Sequence, residues 1–318
     1  MNNLKLFLLI APGFLIVPVL SEAQYPQQDF EKMEIRSSGH WIDIDYVGDG
    51  QIGHRLDIHL PEKELEKYPV IVSIYGSAWF SNNSKGATYS EGIGQALMDA
   101  GFAVVAINHR SSSEATFPAQ IHDVKAAIRF VRANAGLYSL DPGFIGITGW
   151  SSGGHLAALT GTTNHLDTFE LNGKTMHIEG ELGRFTKTSS HVDAVVDWFG
   201  PANFLTMDEC GSSMSHNDEK SPESSLIGGP IQSNKEKCHF ADPATYANAE
   251  TPPFLIFHGD EDPLVPHCQS EYLHDKLRST GVESELVIVR GGKHGPGVLI
   301  PEHFQKMIFF FHQQRSDS

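Results

Sequence analysis

The sequence predicts an open, doubly wound, mostly parallel α/β sheet with antiparallel strands at its N-terminal side. Three observations carry that expectation. Short apolar runs rich in β-branched residues alternate with stretches of helical period. No internal repeat or composition shift interrupts them. The 318 residues suffice for one large α/β domain or two small ones.

The elements follow in chain order. Residues 1–23 have the build of a secretory signal peptide: Lys5 precedes an apolar run from Leu6 to Leu20, and Ser21-Glu22-Ala23 puts small residues at a cleavage site. A membrane anchor is the competing reading. Pro12, Gly13 and Pro18 break the run, which falls short of the roughly 20 apolar residues a span needs. The expectation is a secreted or periplasmic protein whose mature part, residues 24–318, is a single domain. Residues from about 30 to 60 read as an antiparallel lead-in with a turn at "GDGQ".

Six runs then read as buried strands: "PVIVSIYG" (69–76), "GFAVVAINH" (101–109), "FIGITGW" (144–150), "VDAVVDWFG" (192–200), "PPFLIFHGD" (252–260) and "SELVIVR" (284–290). Their near-continuous apolar character suits a parallel sheet covered on both faces. Between them, residues 117–138 carry Ile121, Val124, Ile128 and Val131 on one helical stripe. Residues 266–281 turn Tyr272, Leu273 and Leu277 inward and stop at Gly281, and a last helix runs from Pro301 to about Gln313. Two long polar segments, 162–190 and 203–245, break the alternation. Both are expected at the carboxyl edge of the sheet, where such folds bind ligands.

The formal net charge of -16 repels nucleic acid and anionic membrane, so neither is an expected partner. A neutral or weakly charged substrate fits better. Of the three cysteines, Cys210 and Cys238 bracket one loop-like segment and form the candidate disulfide of an exported chain, leaving Cys268 free. No Cys-x-x-Cys pair exists, which argues against a structural zinc.

The chemistry centres on "GWSSGG", residues 149–154. A strand ends at Gly149 and a helix begins directly after Ser151, so the serine sits on an abrupt turn that only small neighbours tolerate. This is the nucleophile elbow of the α/β-hydrolase fold. A serine hydroxyl needs a base, and in this fold the order is Ser, acid, His. His294, among the glycines of "VIVRGGKHGPG", is the candidate base; His155 and His258 read as packing and turn residues. "FHGDEDPLVP" offers Asp262 as the acid, with Asp260 as a turn cap and Asp197 as the rival. The expected oxyanion donors are the amides of Ser77 and Ala78 in "YGSAW" and of Ser152. Trp79, Trp150 and Trp198 are candidate substrate walls, with core packing the alternative reading for Trp150 and Trp198. The mechanism requires no metal or organic cofactor.

From about residue 40 to 300 the chain resembles the bifunctional feruloyl and acetylxylan esterase-like (BD-FAE) family. The matching stretches are "HRSSSEATFPAQIHDVKAAIRFVRANA", "GWSSGGHLAAL", "SPESSLIGGPI", "PPFLIFHGDEDPLVP" and "GGKHG". The resemblance implies a Ser151, Asp262, His294 triad and an ester substrate on plant cell-wall polysaccharide such as xylan. One departure stands out. The family has His-Gly-Gly where this chain has Tyr75-Gly76-Ser77, which puts a side chain near the oxyanion donors and a hydroxyl in place of a supporting imidazole. Alternatives are an exopeptidase of the prolyl-oligopeptidase type, a kynurenine formamidase, and an inactive binding protein of the same fold. The roughly 40 residues ahead of the first strands leave no room for the propeller such peptidases carry. Oligomeric state and acyl preference are not legible.

Overall fold

The computed structural model describes residues 35–316, so the expected signal peptide lies outside the described residues. The lead-in is β1 (Gly39–Asp45) and β2 (Arg55–Leu60). It is followed by β3 (Tyr68–Ile74), α1 (Ala87–Ser90), α2 (Ile93–Asp99), β4 (Ala103–Ile107) and α3 (Ala119–Ala133). Next come β5 (Leu140–Trp150), α4 (Ser152–Thr162), the hairpin β6 (Thr168–Leu171) and β7 (Lys174–His177), and β8 (Ala194–Trp198). The last part holds α5 (Pro222–Ile227), α6 (Lys235–Ala241), β9 (Phe254–Gly259), α7 (Cys268–Ser279), β10 (Ser284–Val289) and α8 (Pro301–Ser316).

Eight strands form one sheet in the order β1-β2-β4-β3-β5-β8-β9-β10. β2 runs antiparallel to β1 and β4, and every pairing from β4 to β10 is parallel. The expected doubly wound sheet with an antiparallel lead-in is therefore the observed one: an α/β-hydrolase sheet. The period of two along each strand sorts side chains onto two cores. Val70, Val72 and Ile74 of β3 join one core with Ile121, Val124 and Ile128 of α3 and Leu156 of α4. Ile71 joins the other, with Leu97 of α2 and Phe304, Met307 and Phe311 of α8. Gly146 lets α8 lie close, since a Cβ there would stand 2.7 Å from the Phe311 ring. Within α7, Leu273 and Leu277 are buried as expected, but Tyr272 is 38% exposed; its hydroxyl reaches out to Asp242 instead.

The two long segments separate. Residues 203–245 follow β8 and lie at the carboxyl edge, where Ser213 donates to the Pro263 carbonyl. Residues 162–190 do not. They follow α4, whose eleven residues carry the chain about 16 Å back down the sheet. The segment closes at the amino edge instead. Asn164 pairs with the backbone of Val192, and Asp193 accepts from the amide of Ile145. Glu179 of this segment pairs with the buried Lys125 and Arg129 of α3.

The disulfide also differs from expectation. Cys210 pairs with Cys268 at the start of α7, with Cα atoms 6.3 Å apart, and Cys238 is the free, buried thiol. Proximity in sequence was misleading because the insert folds back onto α7. Cys238 faces inward from α6, and burial pushes its thiol up to about 12.

Candidate active site

Ser151 joins β5 to α4 with φ 55° and ψ -125°, a conformation that costs a non-glycine residue on the order of 1–3 kcal/mol. Its surroundings enforce it. The Ser151 amide donates to the Trp198 carbonyl at 2.8 Å, and all of α4 is buried. Burying Leu156 and Leu159 contributes roughly 2 kcal/mol each, which offsets the strain. Glycines are required on both sides. A Cβ on Gly149 would meet the Gly153 carbonyl, and one on Gly153 would meet the carbonyls of Ile74 and Tyr75.

The loops after β9 and β10 bring the other two groups in. They cross where Gly259 and Gly292 touch, an approach that a Cβ on Gly259 would block against the Gly292 backbone. His294 then spans the site. Its Nε2 lies 2.9 Å from Ser151 Oγ, and its Nδ1 lies 2.7 Å from Asp262 Oδ2. The other oxygen of Asp262 accepts from the amides of Leu264 and Val265 at 2.8 and 3.0 Å. Burial works to raise the Asp262 carboxyl. The contacts with His258 and His294 outweigh it and hold the group well below the usual carboxylate range. It therefore stays an anion beside the imidazole.

On the far side of Ser151, the Ser77 amide donates to Ser152 Oγ at 2.9 Å. It is thus engaged by a side chain, whereas the expectation was a donor open to substrate. The Ala78 amide makes no hydrogen bond among the described residues. That of Ser152 sits in the first turn of α4, where no helical carbonyl can reach it. Tyr75, in place of the family's histidine, ties the loop through its hydroxyl to the Ser81 carbonyl at 2.8 Å and stacks on His109.

The three tryptophans do not form walls. Trp198 is fully buried, stacked on Phe257 and donating to Thr148 Oγ1 at 3.0 Å. Trp79 is 1% exposed between His155 and Phe204. Trp150 is buried with its ring over Gly76. Trp150 and Trp198 end strands, and the period of two turns both rings into one core, whereas Trp79 is carried into the other core by a left-handed turn at φ 59°. The rival acid Asp197 is buried away from His294, its Oδ1 accepting from the Gly200 amide at 3.0 Å. Burial pushes its carboxyl up to about 7. His155 is buried on the Ala241 carbonyl, and burial lowers it to about 4. Asp260 braces the crossing loops by accepting from the Gly291 amide, not from its own turn.

Two neighbours are not assigned to the site by the sequence, although His258 reads there as a turn residue. Phe199, left-handed at φ 45°, packs its ring 4.7 Å from that of His294. His258 lies 3.4 Å from Asp262 Oδ2 and bonds the Val265 carbonyl at 2.8 Å. The "HG" preceding the acid loop was a signal for the second; nothing in the sequence marked the first.

Known proteins share this frame. A truncated carbohydrate esterase from gut microbiota superposes with a TM-score of 0.85 at 46% identity, covering 89% of this chain and 98% of that one. A bifunctional GH43-CE protein of Bacteroides eggerthii gives 0.81 at 48% identity, over 86% of this chain and 38% of its own. The probable carboxylic ester hydrolase LipM of Mycobacterium tuberculosis is 33% identical over 247 residues, 76% of this chain and 53% of the relative. The chain spans about half the length of the curated relatives it matches. The BD-FAE family model matches residues 56–277, from β2 through most of α7. Sheet, elbow and this match together place the chain in the BD-FAE family.

Proposed function

We propose that this protein is a carboxylic ester hydrolase, a secreted serine esterase that removes acyl groups from plant cell-wall polysaccharide. Acetyl groups on xylan are the first candidate and feruloyl groups the second. The observation that carries the reading is the continuous Ser151–His294–Asp262 relay, 2.9 and 2.7 Å at its two contacts. The gut-microbiota relative, named a carbohydrate esterase, supports the substrate class.

Ser151 attacks the ester carbonyl while His294 Nε2 takes its proton and Asp262 balances the imidazolium. Negative charge develops on the carbonyl oxygen, toward the amides of Ala78 and Ser152. Each such donor is worth roughly 10²–10³ in rate. His294 returns the proton to the leaving alcohol, and water then hydrolyses the acyl-enzyme by the same path reversed. The Ser77 amide, bonded to Ser152, holds the donor loop.

The test is a parallel assay of acetylated xylan, methyl ferulate and an aminoacyl anilide, with fluorophosphonate labelling of wild type and Ser151→Ala. Turnover of acetylated xylan, and labelling lost in the variant, are the expected results. Turnover of the anilide alone would refute the esterase reading, and absence of any labelling would favour a binding protein.

A further inference from the structure

The insert 203–245 is attached to the acid loop at several points. The Cys210–Cys268 bond joins it to the residue that opens α7, just past that loop. Ser213 donates from its amide to the Pro263 carbonyl at 3.2 Å, and its hydroxyl bonds the same oxygen. Beside it, His216 Nε2 reaches the Leu264 carbonyl at 3.1 Å and Ser212 Oγ at 2.9 Å. His216 Nδ1 lies 3.1 Å from Glu223 Oε2, and the two side chains are 2% and 4% exposed. The Leu264 amide in turn donates to Asp262 Oδ1, so displacing Leu264 displaces the acid.

Ser212, His216 and Glu223 look like a second triad, but the Leu264 carbonyl, 3.1 Å from Nε2 and 3.3 Å from Ser212 Oγ, lies against both groups. In the cation both ring nitrogens carry hydrogens, so Nε2 donates to that carbonyl and takes none from Ser212. We propose instead that His216, braced by Glu223, is a positioning residue: it grips the 263–265 turn through the Leu264 carbonyl and keeps Asp262 in register with His294. This rests on the esterase reading above.

The grip depends on charge. The imidazole faces Glu223 from α5, and from the acid loop the ring meets only a carbonyl. The carboxylate of Asp208 in the segment Phe204–Cys210 accepts from the His216 amide and acts on the ring through its charge. Burial disfavours its cation, yet Glu223, Asp208 and the Leu264 carbonyl outweigh that and raise its pKa. When the cation loses a proton, the negative charge of Glu223 beside Nδ1 favours keeping the remaining hydrogen there. Nε2 is then bare and repels the Leu264 oxygen. With glutamine at 223, the amide can donate to Nδ1, and the hydrogen stays on Nε2.

The experiment is kcat and KM for 4-nitrophenyl acetate from pH 6 to 9 in wild type, Glu223→Gln and His216→Ala. Wild-type kcat is expected to fall on the alkaline side while Glu223→Gln stays level. His216→Ala is expected to lose about fivefold or more in kcat at every pH with KM within about twofold. Coincident wild-type and Glu223→Gln profiles, or wild-type kcat in His216→Ala, overturn the proposal. If His216→Ala does not accumulate, Glu223→Gln and the double variant Ser212→Ala/Ser213→Ala carry the test. The double variant is expected to lower kcat at unchanged KM, and an unchanged kcat refutes the grip. A wild type that neither turns over ester nor labels at Ser151 ends the esterase reading and this proposal with it. An active wild type with the overturning profiles ends this one alone.

Discussion

His258 Nε2 stands 3.4 Å from Asp262 Oδ2, the same oxygen that meets His294 Nδ1 at 2.7 Å. Two imidazoles and two backbone amides thus surround one carboxylate. Such a group accepts from every side and cannot donate to any neighbour without breaking the set.

Replacing Asp262 by asparagine puts that set to the test. The amide can be seated only with a hydrogen aimed at His294 or at a backbone N–H, which either forces the wrong imidazole tautomer or tilts the ring. The expected loss in kcat is about 10⁴-fold with KM little changed, measured on 4-nitrophenyl acetate. Activity within about tenfold of wild type would remove Asp262 from the triad.

Asp197 makes the opposite prediction, for stability. Its folded carboxyl is pushed up to about 7, whereas in the unfolded chain it titrates near its ordinary value of 3.8. Between these values the folded state binds more protons, so stability falls as pH rises through that window. Asparagine keeps the acceptor for the Gly200 amide and removes the ionisation. Asp197→Asn is expected to match wild type near pH 4 and exceed it at pH 8 by up to about 4 kcal/mol, read by denaturant melts. Equal stability at both pH values would show that the carboxyl ionises at its ordinary value.

The cysteines give a third outcome. The loop closed by Cys210 and Cys268 spans a separation of 58 residues, and opening it frees chain entropy worth about 4 kcal/mol in the unfolded state. The double variant Cys210→Ser/Cys268→Ser is expected to lose stability on that scale, while Cys238→Ser is not tied to loop closure. Non-reduced peptide mapping checks the connectivity directly. A Cys210–Cys238 peptide would reverse the assignment.

Most of the fold was legible because its signals are local. Apolar runs bounded by Gly and Pro gave the six parallel strands to within a few residues, except that β5 starts earlier, at Leu140. That Ser151, His294 and Asp262 meet was legible because each sits next to the glycines or proline that shape its loop. What failed required knowing direction in space. Period-two alternation fixes which side of the sheet Trp198 faces, but only once neighbouring strands are placed. The segment 162–190 was assigned to the wrong edge because it follows a helix, not a strand. The engaged Ser77 amide depends on a side-chain contact 75 residues apart, which no pattern announces.

The burial of α4 has a consequence for how the protein fails. Every residue from Ser152 to Thr162 is enclosed, and the helix lies against β5 and β8. Its amides can meet deuterium only when the whole sheet opens, so the nucleophile rides on the slowest-exchanging part of the molecule. The acid, by contrast, is carried on a turn fastened by side chains and one covalent link, and that turn can loosen while the rest stays shut. Inactivation on gentle heating should therefore begin at the acid turn, with the serine still in place.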